Sequence, residues 1–336
     1  MTHFKLSVYF TAICALIAGL WGGFAGMLLA LILGVLEVSL SFDNAVVNAS
    51  VLSRMTELWQ QRFLTWGIAV AVFGMRLVFP VMIVAFAADV SFIDVTVMAV
   101  SNPEQYAQHL QNAHAMIAAF GGMFLLLVAL SFLLDEARNI YWLGQIEQKL
   151  QSLGKIDAFS ITVALTALLI THTMAPDVHQ NDILIGGVWG IFLYGLVSSL
   201  DRFFEAEEDA EIVVETVKKG GVMAFLYLEM LDASFSFDGV IGAFAITKDI
   251  VIIMLGLGIG AMFVRSLTVF LVHQGTLDEY VYLEHGAHYA IGILALLMLI
   301  STYQHISEVF TGLIGASLIG LSFYSSIRYK NTRTDG

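Results

Sequence analysis

Apolar runs long enough to cross a bilayer recur along the whole 336-residue chain, and they decide what it can fold into. A helix of about 20 apolar residues spans the hydrocarbon core, and inside lipid only helices or closed barrels satisfy their own backbone. The chain is 58% hydrophobic and 13% charged, with a mean hydropathy of +0.83. That composition belongs to an all-α polytopic membrane protein rather than a soluble core. Ten helices are expected, near 6–22, 24–53, 64–88, 113–135, 158–175, 182–200, 217–247, 250–271, 283–302 and 309–327. No small-residue cleavage site follows the first run and a second run begins at once, so the first is read as a span.

Basic residues orient these spans, because cytoplasmic loops carry the excess of Lys and Arg. With the N-terminus inside, twelve of the fifteen fall on the inner side: Lys5, Arg54, Arg62, Arg138, Lys149, Lys155, Arg202, Lys218, Lys219, Arg328, Lys330 and Arg333. Only Lys248 lies outside, while Arg76 and Arg265 sit within spans. The expected outer loops 89–112 and 176–181 contain no Lys or Arg. Both termini are therefore expected in the cytoplasm of a cell membrane, in all expectation a bacterial inner membrane. Three units follow: an N-terminal half over 1–200, an acidic linker over 201–216 and a C-terminal half over 217–336. The linker supplies much of the net charge of −13, and nucleic acid is excluded as a partner. A stretch over 138–157, with Ile140, Trp142, Leu143, Ile146, Leu150 and Leu153 among charges, has the pattern of an interfacial amphipathic helix.

Within this apolar background two segments are near copies. Leu36-Glu37-Val38-Ser39-Leu40-Ser41-Phe42-Asp43-Asn44 is echoed by Leu231-Asp232-Ala233-Ser234-Phe235-Ser236-Phe237-Asp238-Gly239, with Glu229 just upstream. Carboxylates at membrane depth are costly, so their duplication marks a site. With the N-terminus inside, the two copies run in opposite directions. The echo continues: Arg76 answers to Arg265 one helix later, and Ala113-His114-Ala115 to Ala287-His288-Tyr289 at the start of the next. The expectation is an inverted-topology repeat of helices 2–4 against 7–9, with a site near the midplane.

At 100° per residue, Glu37, Ser41, Asn44 and Asn48 share a face, whereas Asp43 stands about 120° away. In the second copy Asp232, Ser236 and Gly239 share a face, and Asp238 lies nearly opposite Glu229. Either both helices unwind near Ser-Phe-Asp, as the polar cluster and Gly239 favour, or each acid faces a different neighbour. With one cysteine, Cys14, the chain has no thiolate set for a soft metal. Carboxylates, hydroxyls and an amide form a hard oxygen site suited to Mn²⁺, Mg²⁺ or Ca²⁺. Without a cation the acids repel one another, and proton binding relieves that repulsion, which offers metal/proton exchange.

These motifs resemble the TerC family of integral membrane proteins, named for tellurium resistance and including manganese exporters. The resemblance rests on Glu-x-Ser-Leu-Ser-x-Asp-Asn at 37–44 and Glu-x-x-Asp-x-x-Phe-Ser-x-Asp at 229–238, and covers helices 2–4 and 7–9. It implies a divalent-cation exporter, Mn²⁺ foremost, whose metal residues are Glu37, Asp43, Asn44, Glu229, Asp232 and Asp238. Ser41, Ser236, Arg76, Arg265, His114 and His288 would support them, and no prosthetic group is implied. The chain departs from the family in length: a typical member is read with about seven spans, so this is a longer branch. Competing readings are a transporter of another small cation or of a tellurium-related substrate, and a non-transporting component of a membrane stress complex. An intramembrane aspartyl protease is disfavoured, since there is neither a Gly-x-Gly-Asp signature nor a Ser/His dyad on adjacent motifs. The chain is read as a non-enzyme.

Overall fold

The computed structural model describes residues 4–53, 55–70, 74, 78–88, 90–156, 158–206, 213–247, 249–273, 279–304, 306 and 308–334. Within helices, several stretches, including 200–206, 213–220 and 236–238, are described by backbone alone. Fourteen helices and no strand are found among the described residues: α1 Lys5–Leu40, α2 Phe42–Ser53, α3 Glu57–Ala69, α4 Phe79–Ala88, α5 Phe92–Ser101, α6 Pro103–Asn112, α7 His114–Leu133, α8 Gln145–Leu153, α9 Phe159–Met174, α10 Asp177–Ala206, α11 Val213–Ile246, α12 Ile250–His273, α13 Leu283–Ser301 and α14 Glu308–Thr334. Six of them, α1, α7, α10, α12, α13 and α14, are long and apolar enough to cross a membrane. The chain is an all-α, multi-pass membrane protein.

α1 is a hairpin of two arms. Gly22 and Gly23 leave helical geometry, with Gly23 at φ 65° and ψ −163°, a conformation that strongly favours glycine. Beyond this point the chain folds back. A Cβ on Gly26 would stand 2.8 Å from the Ala18 carbonyl oxygen, whereas eight residues of continuous helix would separate them by about 12 Å. The ends of α1 meet the same turns of α12: Ser7 Oγ donates to the Met262 carbonyl (2.7 Å), and Glu37 packs on Gly260. The returning arm lies close against α12 because Gly34, Gly256 and Gly260 carry no side chain where the backbones meet. Packing of small residues is what holds helices together where lipid competes for apolar surface. The first arm matches the expected helix over 6–22, and the second arm covers that over 24–53 only as far as Leu40, beyond which α2 continues it.

α7 sits at the centre. Its buried residues run from Ala115 to Ala129 around the helix, as expected of a helix apolar on every side. It packs antiparallel to α13, where Phe132 stacks on His288 at one end and Gly121 and Gly122 meet Met298, Ala295 and Leu299 further along. One core joins α7, α2, α9, α11 and α13; another joins α1, α4, α5, α6 and α12.

Two expected segments take a different form. The outer loop expected over 89–112 contains α5 and α6, started by Ser91 and Asn102, whose side chains accept the Asp94 and Gln105 N–H groups, with Pro103 at the first turn of α6. The amphipathic helix expected over 138–157 is helical only over α8. Glu147 there is fully buried: it accepts the Trp142 and Leu143 N–H groups (3.0 and 3.1 Å) and the Tyr289 hydroxyl, with Arg138 and His285 beside it. This carboxylate fastens the connection after α7 onto the start of α13. Ile140, Leu143 and Ile146 remain exposed, as an interfacial face requires.

Candidate functional site

The first acidic motif straddles a break. α1 stops at Leu40, Ser41 adopts φ −106° and ψ 17°, and α2 restarts at Phe42. The interruption is a single residue, and the backbone stays satisfied across it: the Ser41 N–H reaches the Glu37 carbonyl (2.9 Å), and Ala45 N–H reaches the Ser41 carbonyl (3.2 Å). The second motif does not break. α11 is continuous from Val213 to Ile246, through Ser236-Phe237-Asp238, so the unwinding expected of both copies is found in one. The polar cluster and Gly239 were insufficient to open α11, which contains no proline.

The break distributes the acids among different neighbours. Glu37, 1% exposed, lies in the space a side chain on Gly239 of α11 or Gly260 of α12 would need, and the Ser41 hydroxyl donates to its Oε1 (3.2 Å). Asp43 opens the first turn of α2 and accepts the Asn44 N–H (3.0 Å), a favourable place for an acid at a helix start. It faces away from Glu37, into a cavity lined by Ser39, Phe235, Ala290, Thr311 and Gly315 of α1, α11, α13 and α14. Asn44 turns the other way: its Nδ2 donates to Asp232 Oδ1 at 2.8 Å.

Glu37 thus meets Gly239 while Asn44 meets Asp232, so the two motifs run antiparallel against each other. The contacts are reciprocal. Glu37 and Asp232 open their respective copies, and Asn44 and Gly239 stand seven residues further on; each opening acid touches the other copy's later position.

A second cavity lies behind the Asn44–Asp232 bond, between α2, α3, α11 and α12. Asn48, Phe63, Glu229, Asp232, Arg265 and Thr268 line it. Asn48, Glu229 and Arg265 are deeply buried, at 4%, 5% and 8% exposure, and Asp232 is partly buried. Both Glu229 oxygens and the Oδ1 atoms of Asn44 and Asn48 have no hydrogen-bond donor among the described residues. Buried acceptors are ordinarily paired, since leaving one unpaired costs about 1–3 kcal/mol. The three such oxygens on this cavity, two of Glu229 and one of Asn48, therefore call for a proton donor or a cation. Arg265 does not bond to Glu229; its guanidinium lies over the Phe63 ring at 4.2 Å, and Nε and Nη2 have no acceptor among the described residues. Gly67 separates the two charges, a Cβ there standing 2.9 Å from Glu229 Oε1 and 3.0 Å from Arg265 Nη2.

Of the expected site residues, Asn44, Glu229, Asp232 and Arg265 come together here, while Glu37 with Ser41 and Asp43 form two neighbouring stations. His288 stacks on Phe132 and bonds the Glu284 carbonyl, and His114 opens α7 at the other end of the α7–α13 pair; neither lines either of these two cavities. The Asp238 and Ser236 side chains and Arg76 lie outside the described residues. No group of three or more His, Cys, Asp or Glu is placed to hold a metal ion among the described residues. Asn48, Phe63, Gly67 and Thr268 were not expected. Asn48 alone was signalled, by its place on the face shared by Glu37, Ser41 and Asn44.

No curated protein and no solved structure matches the chain. Residues 42–334, from the start of α2 to the end of α14, match the family model described as "Protein of unknown function (DUF475)", and the chain belongs to that family.

Proposed function

We propose that this protein transports a hard divalent cation, Mn²⁺ foremost, out of the cell in exchange for protons. The observation that carries this reading is the set of unpartnered buried oxygens of Glu229 and Asn48 in the cavity that Asp232 also lines, with Asn44 bonded to Asp232 from behind. They are all-oxygen donors, with no thiolate or imidazole, as hard cations prefer. The architecture proposed around them has about ten helices in two inverted halves, helices 2–4 against 7–9. The reciprocal contacts of Glu37 with Gly239 and of Asn44 with Asp232 support it, because a two-fold relation between antiparallel segments exchanges contacts in this way. A site at such a crossing is reached from either side by rocking one half against the other. The TerC-like motifs support export as the direction and Mn²⁺ as the cargo. Asp43 and Glu37 are the adjoining stations, where an ion or a proton would rest between the cavity and α14 or α12.

A proteoliposome flux assay across Mn²⁺, Mg²⁺, Ca²⁺, Zn²⁺ and Fe²⁺ under a pH gradient tests this. Mn²⁺ flux that rises with the proton gradient is expected, together with its loss in Asp232→Asn and Glu229→Gln proteins that insert normally. Undiminished Mn²⁺ flux in both variants would overturn the assignment.

A further inference from the structure

Arg265 is a poor member of a cation site, since a fixed positive charge repels the ion the site is to hold. A structural ion pair with Glu229 would explain it, but such a pair closes to short, often bidentate bonds of about 2.7–2.9 Å. That has not happened. Phe63 holds the guanidinium by its face at 4.2 Å, Nε and Nη2 are unpartnered, and both Glu229 oxygens are unpartnered across the width of Gly67. The same cavity is lined by Asp232 and Thr268, so charge of both signs faces one space. The arrangement holds Arg265 near the carboxylates by long-range attraction while leaving their oxygens accessible.

Building on the transport reading, we propose that Arg265 is a tethered counter-cation: it balances Glu229 and Asp232 when no ion is bound, and substrate binds by displacing that balance. A buried carboxylate, Glu229, and a partly buried one, Asp232, facing one cavity without a cation are unfavourable, and so is a dication beside an unmoved guanidinium. The two cations are therefore alternatives for one anionic pair. Exchange is eased for Arg265 because its Nε and Nη2 make no hydrogen bond among the described residues, and its plane rests on the Phe63 ring. The device also sets specificity. A monovalent ion gains no charge over the resident guanidinium, whereas a dication does, so Arg265 selects for divalent cargo. It further prevents trapping, because the returning guanidinium helps to expel the ion.

The test measures Mn²⁺ binding to purified full-length protein and Mn²⁺ flux in proteoliposomes for wild type, Arg265→Gln, Arg265→Lys and Phe63→Leu. Arg265→Gln should bind Mn²⁺ at least tenfold more tightly, admit Na⁺ as a competitor and transport more slowly. Arg265→Lys, which keeps the charge, should stay within about threefold of wild-type affinity. Phe63→Leu removes the parking surface and lets the guanidinium approach the carboxylates, so it should bind several-fold more weakly; this variant carries the test should Arg265→Gln not fold. Affinity in folded Arg265→Gln equal to or below wild type, or unchanged affinity in Phe63→Leu, would overturn the counter-cation role. Absence of Mn²⁺ binding in wild type would instead remove the transport reading on which it rests.

Discussion

Replacing Gly67 with Ala probes the cavity by adding one methyl group between its opposite charges. The new Cβ would stand 2.9 Å from Glu229 Oε1 and 3.0 and 3.1 Å from the two Arg265 Nη atoms, where ordinary contact begins at 3.4 Å. The carboxylate must therefore retreat by about half an ångström, and productive sites tolerate only about that much. Because every clashing atom ends a flexible side chain, the backbone need not move. Overpacking costs about 1–3 kcal/mol when a core resists, but here the atoms can yield, and Ala gains up to about 1 kcal/mol over Gly in a helix. Stability should thus change by less than about 1 kcal/mol, while Mn²⁺ flux falls tenfold or more, given that a misplacement of about 1 Å can cost about a hundredfold. Gly190→Ala is the control: its Cβ would press on the fixed Phe120 carbonyl of α7, remote from both cavities, and should lower stability with Mn²⁺ affinity unchanged. Paired thermal-melt and proteoliposome measurements read both quantities. Full flux in Gly67→Ala at an unchanged melting temperature would refute the placement of the site between Glu229 and Arg265.

Two further substitutions separate scaffold from site. Glu147→Ala removes the acceptor of two backbone N–H groups and leaves the buried Arg138 charge unbalanced, so stability should drop by about 3–5 kcal/mol; Mn²⁺ affinity of the folded protein should stay within a factor of two. An unchanged melting temperature would show that this carboxylate does not fasten the connection between α7 and α9. Gly23→Ala meets no atom within 4 Å, so its cost is purely that of holding a side chain at φ 65° and ψ −163°, roughly 1–3 kcal/mol. A neutral Gly23→Ala, measured by denaturant or thermal unfolding, would be incompatible with a hairpin turn at that residue.

Much of the helical framework was legible because lipid leaves the backbone few choices. The apolar runs located α7, α9, α11, α12 and α13 closely, while α10 and α14 run several residues past theirs, and they placed the turn between 22 and 24, where two glycines interrupt an otherwise continuous run. The break beside Asp43 was legible too, since helical angles could not bring Glu37 and Asp43 to one face. What failed was the extension to the second copy. Helical angles say that Asp238 and Glu229 diverge, but two outcomes satisfy that constraint, unwinding or separate neighbours, and the α11 backbone stays helical through 236–238. The α5–α6 segment was read as a loop because it falls outside the long apolar runs; its helix-start residues Ser91 and Asn102-Pro103 were the available signals. Glu147 was missed for a different reason: its partners are backbone N–H groups and residues 138 and 285–289, which no local pattern joins.

The reciprocal contacts of the two motifs are alike in position but not in strength, and that difference bears on how an exchanger could work. At one crossing Asn44 donates directly to Asp232, fixing one carboxylate oxygen at 2.8 Å. At the other, Gly239 gives no side chain, and Glu37 takes a longer bond from Ser41, the residue at the helix break. A symmetric pair of acids would hold cation or proton equally in both orientations of a rocking repeat. Unequal partners bias it: Asp232 is held by an amide beside the proposed cation cavity, whereas Glu37 accepts from a hydroxyl whose own backbone departs from helical geometry. A change in the backbone at Ser41 would therefore reach Glu37 directly, through the Ser41 hydroxyl. If the transport reading holds, Ser41→Ala should alter the coupling of Mn²⁺ flux to the proton gradient more than it alters Mn²⁺ affinity; the reverse result would place the asymmetry elsewhere.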